Sequence, residues 1–113
     1  MTCIRMCAVL RLDGAGRRRL FMVCSNDMDW CRKNLPVHRL RHVAFVSTRD
    51  PIVDLAVLST CRHTITTVGT FGWWAAWLAN GTTVYYKNWP RQGSRLAAAT
   101  SHADYFPPHW IPL

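Results

Sequence analysis

The sequence predicts an α/β domain in which a parallel sheet carries helices on its faces. Short apolar runs at residues 19–25, 42–47 and 65–68 are typical of buried strands, and each is followed by a segment with helical character. The connections are short, and right-handed crossovers then give a parallel sheet. With 113 residues, half of them hydrophobic and 18% charged, the chain has room for one small folded domain.

The first strand, 19–25 (RLFMVCS), is almost continuously apolar and ends before an Asn-Asp pair, as expected for a buried strand followed by a helix N-cap. A short helix follows at 27–35, and Pro36 ends it. A basic loop then leads to the second strand, 42–47, which is rich in valine and phenylalanine.

The second helix is predicted to begin with Asp50 as N-cap and Pro51 at the first helical position, and to end near 60–62. Its apolar face is predicted from Ile52, Leu55, Ala56 and Leu58. The third strand (65–68), a glycine-bearing turn (69–72), the third helix (71–78) and the fourth strand (82–86) complete the alternation.

We divide the chain into three segments on this pattern. Residues 1–18 form a poorly defined N-terminal segment, residues 19–87 form the α/β unit, and residues 88–113 form an irregular, proline-rich C-terminal tail.

The net charge of +8 favours a polyanionic partner, either nucleic acid or a nucleotide phosphate. The 12 arginines and 2 lysines are scattered rather than aligned in one stripe, so most of them are interpreted as a solvated surface. An RNA-binding aromatic motif, a zinc-ligand pair and a helix-turn-helix pattern are all missing from the sequence, and no nucleic acid is expected as a partner.

The five cysteines include no CxxC pair, so we predict neither a metal site nor a redox motif. Cys24 and Cys61 lie in or beside apolar runs and are interpreted as buried free thiols; a disulfide between two of the five, in a secretory compartment, is the alternative.

No apolar run reaches 18 residues, and the N-terminus does not resemble a signal peptide. Asn80-Gly81-Thr82 matches the N-glycosylation sequon, and the same residues are also typical of a turn.

Polar residues follow each of the three predicted strands where it ends. They are Ser25 and Asn26 after the first strand, residues 47–50 after the second, and the turn 69–72 after the third. Ligands of parallel sheets bind outside the carboxyl ends of the strands, and backbone N–H groups at a helix start suit a diphosphate. The sequence therefore predicts a nucleotide site at this edge.

Several motifs in residues 20–86 resemble those of the GDP-fucose-dependent alpha-1,2-fucosyltransferases, glycosyltransferase family 11. They are SNDMDWC at 25–31, Asp54 at the start of the second helix, Leu58-Ser59, and Thr70-Phe71-Gly72. The resemblance implies a Rossmann-like sheet that corresponds to the C-terminal, donor-binding half of a GT-B glycosyltransferase.

The resemblance also implies roles. Asp54 would accept hydrogen bonds from N1 and N2 of guanine, Thr70, Phe71 and Gly72 would hold the β-phosphate, and Ser25, Asn26 and Ser59 would complete the donor site. The parent enzymes transfer fucose from GDP-fucose, with inversion, to the 2-hydroxyl of a terminal galactose on a glycan acceptor. They require no metal or other cofactor and lie at the Golgi membrane, on its luminal side.

One family motif, HxRRxD, does not occur in the sequence, so no catalytic residue is assigned. Its arginine would stabilise the departing GDP, and we expect a fragment, an incomplete gene model or a degenerate copy that needs the N-terminal half of the same enzyme as its partner. The alternatives are a non-catalytic structural or interaction protein and a small basic nucleic-acid-binding module.

Individual residues also have structural interpretations. Asp54 could stabilise the first turn of its helix through the macrodipole, and Ser25 and Asn26 could cap the first helix. Trp73, Trp74 and Trp77 are interpreted as packing residues rather than a sugar platform.

Overall fold

A computed structural model describes residues 6–12, 18–39, 42–67 and 69–113, which form one sheet with helices. The strands are β1 (Met6–Leu12), β2 (Arg18–Cys24), β3 (Val43–Val46), β4 (His63–Thr66), β5 (Thr82–Tyr85) and β6 (Ile111–Pro112). The helices are α1 (Met28–Asn34), α2 (Pro51–Ser59), α3 (Thr70–Ala79), α4 (Arg95–Ala99) and α5 (His102–Tyr105). The described chain is therefore a mixed α/β protein.

The strand order is β3-β2-β1-β4-β5-β6. β2 is parallel to β3, and β4, β5 and β6 are parallel to one another, whereas β1 is antiparallel to both of its neighbours, β2 and β4. The prediction of a parallel sheet is thus correct for the four predicted strands, which correspond to β2, β3, β4 and β5. It missed β6 at one edge, and it is wrong at the centre, where the antiparallel β1 separates two parallel blocks. Residues 1–18 were predicted to be a poorly defined segment, but residues 6–12 form β1, which pairs with a strand on each side. Residues 1–5 and 13–17 of that segment lie outside the described residues.

The predicted helices and strands between 19 and 87 occur within a few residues of their expected bounds. The N-cap of α2 is Asp50, whose Oδ1 accepts a hydrogen bond from Ile52 N at 2.9 Å, with Pro51 at the first position. The last residue of the predicted third strand, Val68, lies outside the described residues.

Helices lie on both faces of the sheet. Met22, Cys24 and Val46 pack with α2 and α3 in one apolar cluster, which includes the fully buried Leu58. Side chains alternate along a strand, so Phe45 points to the other face, where the Arg32 guanidinium of α1 lies 5.1 Å from its ring centre.

The predicted apolar face of α2 is wrong at two of its residues. Ile52 is 77% exposed and Ala56 is also exposed, whereas Leu58, near the other end of the helix, is buried. The helix approaches the sheet through its C-terminal turns, and Ile52 lies beyond that contact.

The C-terminal tail is more ordered than the sequence predicts. Residues 88–113 were expected to be irregular because of their prolines, but they contain α4, α5 and β6, which pairs with β5. Trp73 Nε1 donates to the Tyr105 carbonyl oxygen at 2.8 Å, and the rings of Tyr85 and Phe106 stack with centres 3.9 Å apart. These long-range aromatic contacts order the tail despite its local composition.

The turn between α3 and β5 confirms the turn interpretation of Asn80-Gly81. Asn80 ends α3 in the left-handed region, at φ 53°. A β-carbon on Gly81 would lie 1.8 Å from the carbonyl oxygen of Arg62, so only glycine allows this close approach of two chain segments.

Candidate functional site

An open cleft of about 250 Å³ lies at the carboxyl ends of β2 and β3, beside the first turns of α2 and α3. We call it the strand-end cleft. Its lining residues are Cys24, Ser25, Asn26, Ser47, Arg49, Pro51, Asp54 and Phe71. The structure thus brings together four of the residues selected from the sequence, Ser25, Asn26, Asp54 and Phe71, at the edge where parallel sheets bind ligands.

Asp54 holds the loop that follows β3. Its Oδ1 accepts from the Thr48 hydroxyl at 2.7 Å and from Thr48 N at 3.2 Å. Both bonds go to one carboxylate oxygen, and within the described part of the chain the second oxygen, Oδ2, accepts none. Asp54 therefore holds the loop through one carboxylate oxygen. It also lines the cleft, and its second oxygen remains available as an acceptor.

Ser25 and Asn26 do not cap α1, which was one interpretation of the sequence. The cap is Asp27, whose Oδ1 accepts from Trp30 N at 2.9 Å. Ser25 Oγ accepts from Asp27 N at 3.0 Å, which holds the turn after β2, and the exposed Asn26 lies beside it in the cleft lining.

The start of α3 offers backbone donors. Gly69 is the N-cap at φ 116°, a conformation that favours glycine, and no side chain caps the helix. Trp73 N is the first helical amide bonded within the helix, to Gly69 O at 3.3 Å. The N–H groups of Thr70, Phe71 and Gly72 precede it, at the positive end of the helix dipole.

Ser59 is not among the cleft residues. It lies in the last turn of α2, which runs from the carboxyl end of β3 back toward the start of β4, and its hydroxyl donates to Ala56 O at 2.7 Å. Ser59 therefore lies five residues beyond Asp54, about 7.5 Å further along the helix axis and away from the cleft.

Arg49 is a cleft residue that the sequence placed at this edge only as part of the polar run 47–50, without a role of its own. It lies in the loop after β3 with φ 63°, the left-handed region that residues with a β-carbon rarely adopt. The polar run 47–50 pointed to this edge of the sheet, but the arginine was interpreted as one of the scattered surface charges. A left-handed backbone conformation is not expected for an arginine, so the sequence did not predict it.

Cys24 lies in the same lining as a buried free thiol, as expected, and Cys61 is also free and buried. Burial raises the pKa of Cys24 to about 12, and the nearby Asp54 and Cys61 add to the shift. The thiol is therefore neutral at physiological pH, which argues against a nucleophilic role.

The packing interpretation of the α3 tryptophans is confirmed for Trp73, which packs against the buried aromatic cluster of Tyr85, Phe106 and Trp110. Trp73 and Trp77 stack with ring centres 5.4 Å apart and planes 10° apart, and Trp74 contacts the edge of Trp73. Trp74 and Trp77 remain about half exposed.

In the described ranges, no group of three His, Cys, Asp or Glu side chains could hold a metal ion. None of the helices there has the length and apolar character needed to cross a bilayer.

These features define a mixed α/β protein with an open cleft at the carboxyl ends of two parallel strands. The chain belongs to glycosyl transferase family 11, whose family model matches residues 8–113.

The chain is similar to the galactoside 2-alpha-L-fucosyltransferase SEC1 of Bos taurus, with 43% identity over 95 residues. It is 41% identical to galactoside alpha-(1,2)-fucosyltransferase 1 of Aotus azarae and 40% identical to that of Sus scrofa. Each match covers 81% of this chain and 26% of the relative, so the chain spans about a quarter of the length of these proteins. No solved structure matches the chain significantly.

Proposed function

We propose that the chain forms the GDP-fucose-binding part of a galactoside alpha-1,2-fucosyltransferase, and that the strand-end cleft holds the GDP moiety. The observation that carries the proposal is the convergence of Asp54, Ser25, Asn26 and the start of α3 around one cleft of about 250 Å³. We assign the sheet to the Rossmann-like donor half of a GT-B glycosyltransferase, because its parallel blocks carry helices on both faces and the cleft lies at the strand ends.

Asp54 is assigned to guanine. The N1 and N2 hydrogens of guanine form an adjacent pair of donors, and a carboxylate offers only acceptors. Because Thr48 occupies Oδ1, the atom assigned to the base is Oδ2. Adenine has no such donor pair on that edge, so the contact favours GDP over ADP.

The diphosphate is assigned to the start of α3. The N–H groups of Thr70, Phe71 and Gly72 precede the first intrahelical bond, and the helix dipole favours negative charge there. No metal or other cofactor is part of this proposal.

The reaction proposed for the whole enzyme transfers fucose to the 2-hydroxyl of a terminal galactose. The bond from the anomeric carbon to the GDP β-phosphate oxygen breaks, a bond to the acceptor oxygen forms on the opposite face, and the acceptor proton passes to a base. GDP leaves with its negative charge, which groups at the diphosphate stabilise. We assign the acceptor site and the catalytic base to the N-terminal half of such an enzyme, and the location to the Golgi lumen.

Isothermal titration of the purified chain with GDP, ADP and UDP tests the proposal, with Asp54→Asn as the informative variant. The asparagine oxygen can still accept from Thr48, so the loop is retained, but the amide then presents donors to the donors of guanine. We expect Asp54→Asn to bind GDP about 10-fold more weakly or worse, since bonds to charged groups are the stronger ones.

Xanthosine diphosphate provides the complementary measurement. Xanthine has an oxygen where guanine has its N2 amine, so Asp54→Asn should prefer the xanthine nucleotide and the unmodified chain should prefer GDP. Asp104→Asn, a change of an exposed aspartate in α5, is the matched control. Equal binding of GDP, ADP and UDP by the unmodified chain would contradict the proposal.

A further inference from the structure

Arg49 combines a cleft position with an unfavourable backbone. It lines the strand-end cleft, its side chain is exposed, and its φ is 63°. Glycine and asparagine adopt this left-handed conformation at lower cost than arginine does. The loop would therefore form more easily without an arginine.

The loop does not need the guanidinium for its own structure. Its hydrogen bonds are made by neighbours: the Thr48 hydroxyl donates to Asp54, Asp50 N donates to the Thr48 oxygen, and the Asp50 carboxylate caps α2. Within the described part of the chain, no ion pair forms between Arg49 and an acidic side chain. The positive charge of Arg49 therefore has no acidic partner in the described part of the chain.

The cleft needs a cation if it holds a diphosphate. Among its described lining residues, Arg49 is the one positive group, and the carboxylate of Asp54 is the one negative group. The helix start of α3 supplies neutral donors with a partial positive charge, which balance only part of a nucleoside diphosphate. A guanidinium on the loop facing the same cleft can hold phosphate oxygens through two parallel hydrogen bonds.

We propose that Arg49 binds the diphosphate of the nucleotide sugar, opposite the N–H groups of α3, and that it supplies positive charge to the departing nucleotide. The assignment rests on the proposed function, because it requires a nucleotide in the strand-end cleft. It gives this segment a cation of its own at the leaving group, in addition to any that the rest of an enzyme contributes.

The test compares Arg49→Asn with Arg49→Lys. Asparagine tolerates the left-handed backbone and removes the charge, whereas lysine keeps the charge and loses the bidentate geometry. Arg91→Asn, at an exposed position in the tail, is the matched control for net charge. Each protein is titrated with GDP, GMP and guanosine at low and high salt.

Arg49→Asn should weaken GDP about 10-fold or more, weaken GMP less and leave guanosine unchanged. Arg49→Lys should retain most of the GDP affinity, and its binding should remain more sensitive to salt than that of Arg49→Asn. Arg91→Asn should match the unmodified chain. The melting temperature of Arg49→Asn should be equal or higher, because the backbone strain is relieved.

Two results would overturn the assignment while the proposed function stands. One is GDP-selective binding that is unchanged in Arg49→Asn, and the other is an equal loss for GDP and guanosine, which would indicate a distorted cleft. If the unmodified chain binds no GDP, the proposed function fails, and the assignment fails with it.

Discussion

At the scale of single residues, Asp54 shows why one sequence position supported two interpretations. It lies in the first turn of α2, where an acidic residue is favourable, and it also holds Thr48 and lines the strand-end cleft. The two roles use different atoms of one carboxylate. A change to alanine would disturb both, so only a variant that keeps an oxygen for Thr48 separates recognition from loop structure.

Cys24 and Cys61 give the protein a predictable response to alkaline pH. Burial raises the pKa of Cys24 to about 12 and that of Cys61 to about 11, from 9.0 for a free thiol. The folded state thus binds more protons than the unfolded state above pH 9. The stability that neutral thiols contribute is present below pH 9 and is lost as the pH rises toward 11 and 12.

We therefore expect the melting temperature to fall between pH 9 and 11, in reducing buffer, and to fall less steeply in the Cys24→Ala/Cys61→Ala double variant. Tyr105 has a pKa raised by burial and contributes in the same direction in both proteins. The quantity to compare is the slope of melting temperature against pH in the two proteins. The cavities left by alanine lower the melting temperature by a similar amount at every pH and do not change that slope. Parallel curves would contradict the prediction.

The candidate site was predictable where side-chain type carries the signal. Ser25, Asn26, Asp54 and Phe71 were selected because polar residues and a glycine turn follow apolar runs, and parallel strands bring such positions to one edge. Ser59 was included in the candidate site because of the family resemblance. That resemblance did not show that Ser59 lies in the last turn of α2, away from the cleft. Arg49 was placed at this edge with the run 47–50 but was given no role, because neither its backbone conformation nor its lack of an ion-pair partner among the described residues can be read from a sequence.

At the scale of the helices and strands, α3 connects the cleft to the C-terminal tail. Its N-terminus lines the cleft, while Trp73, one turn later, donates to the carbonyl of Tyr105 in α5. Trp73→Phe keeps an aromatic ring and removes the donor. We expect a loss of about 1–2 kcal/mol in the free energy of unfolding, because the Tyr105 carbonyl oxygen loses its partner.

Urea unfolding measures this loss, with Trp74→Phe as the control. Trp74 is also in α3 but is 51% exposed, and no hydrogen bond of its indole nitrogen occurs in the described residues, so its replacement should cost little. Equal destabilisation by the two changes would mean that loss of ring area, rather than the hydrogen bond, determines the result.

The helices and strands between 19 and 87 were predictable because their signals are local: an Asp-Pro start for α2, an Asn-Gly end for α3, and valine-rich strands. β1 and the tail were not, because their order comes from distant partners. β1 depends on backbone pairing with β2 and β4, and the tail depends on the rings of Tyr85 and Trp73.

At the scale of the whole molecule, β1 is the only sheet connection between the block β2–β3 and the block β4–β5–β6 in the described chain. Val9 pairs with Phe21 on one side and with His63 on the other. Proline at position 9 would remove a ladder hydrogen bond and restrict the backbone at the centre of the sheet. We expect a cost of about 1–3 kcal/mol from the backbone group that loses its partner.

Hydrogen exchange monitored by mass spectrometry checks this expectation. Val9→Pro should speed amide exchange in both β2 and β4. Met6→Pro is the control, since position 6 pairs with Cys24 alone, and it should affect β2 more than β4. Unchanged exchange in β4 of Val9→Pro would show that α2, rather than β1, holds the two blocks together.

The central position of β1 also has a consequence during synthesis on the ribosome. β1 and β2 can pair as a hairpin early, but β4 emerges only after β2, α1, β3 and α2. Until then the second edge of β1 has unpaired N–H and C=O groups that can pair with another nascent chain. Aggregation during expression is therefore expected to begin at this edge, and slower translation or chaperone capture should matter most before His63–Thr66 is available.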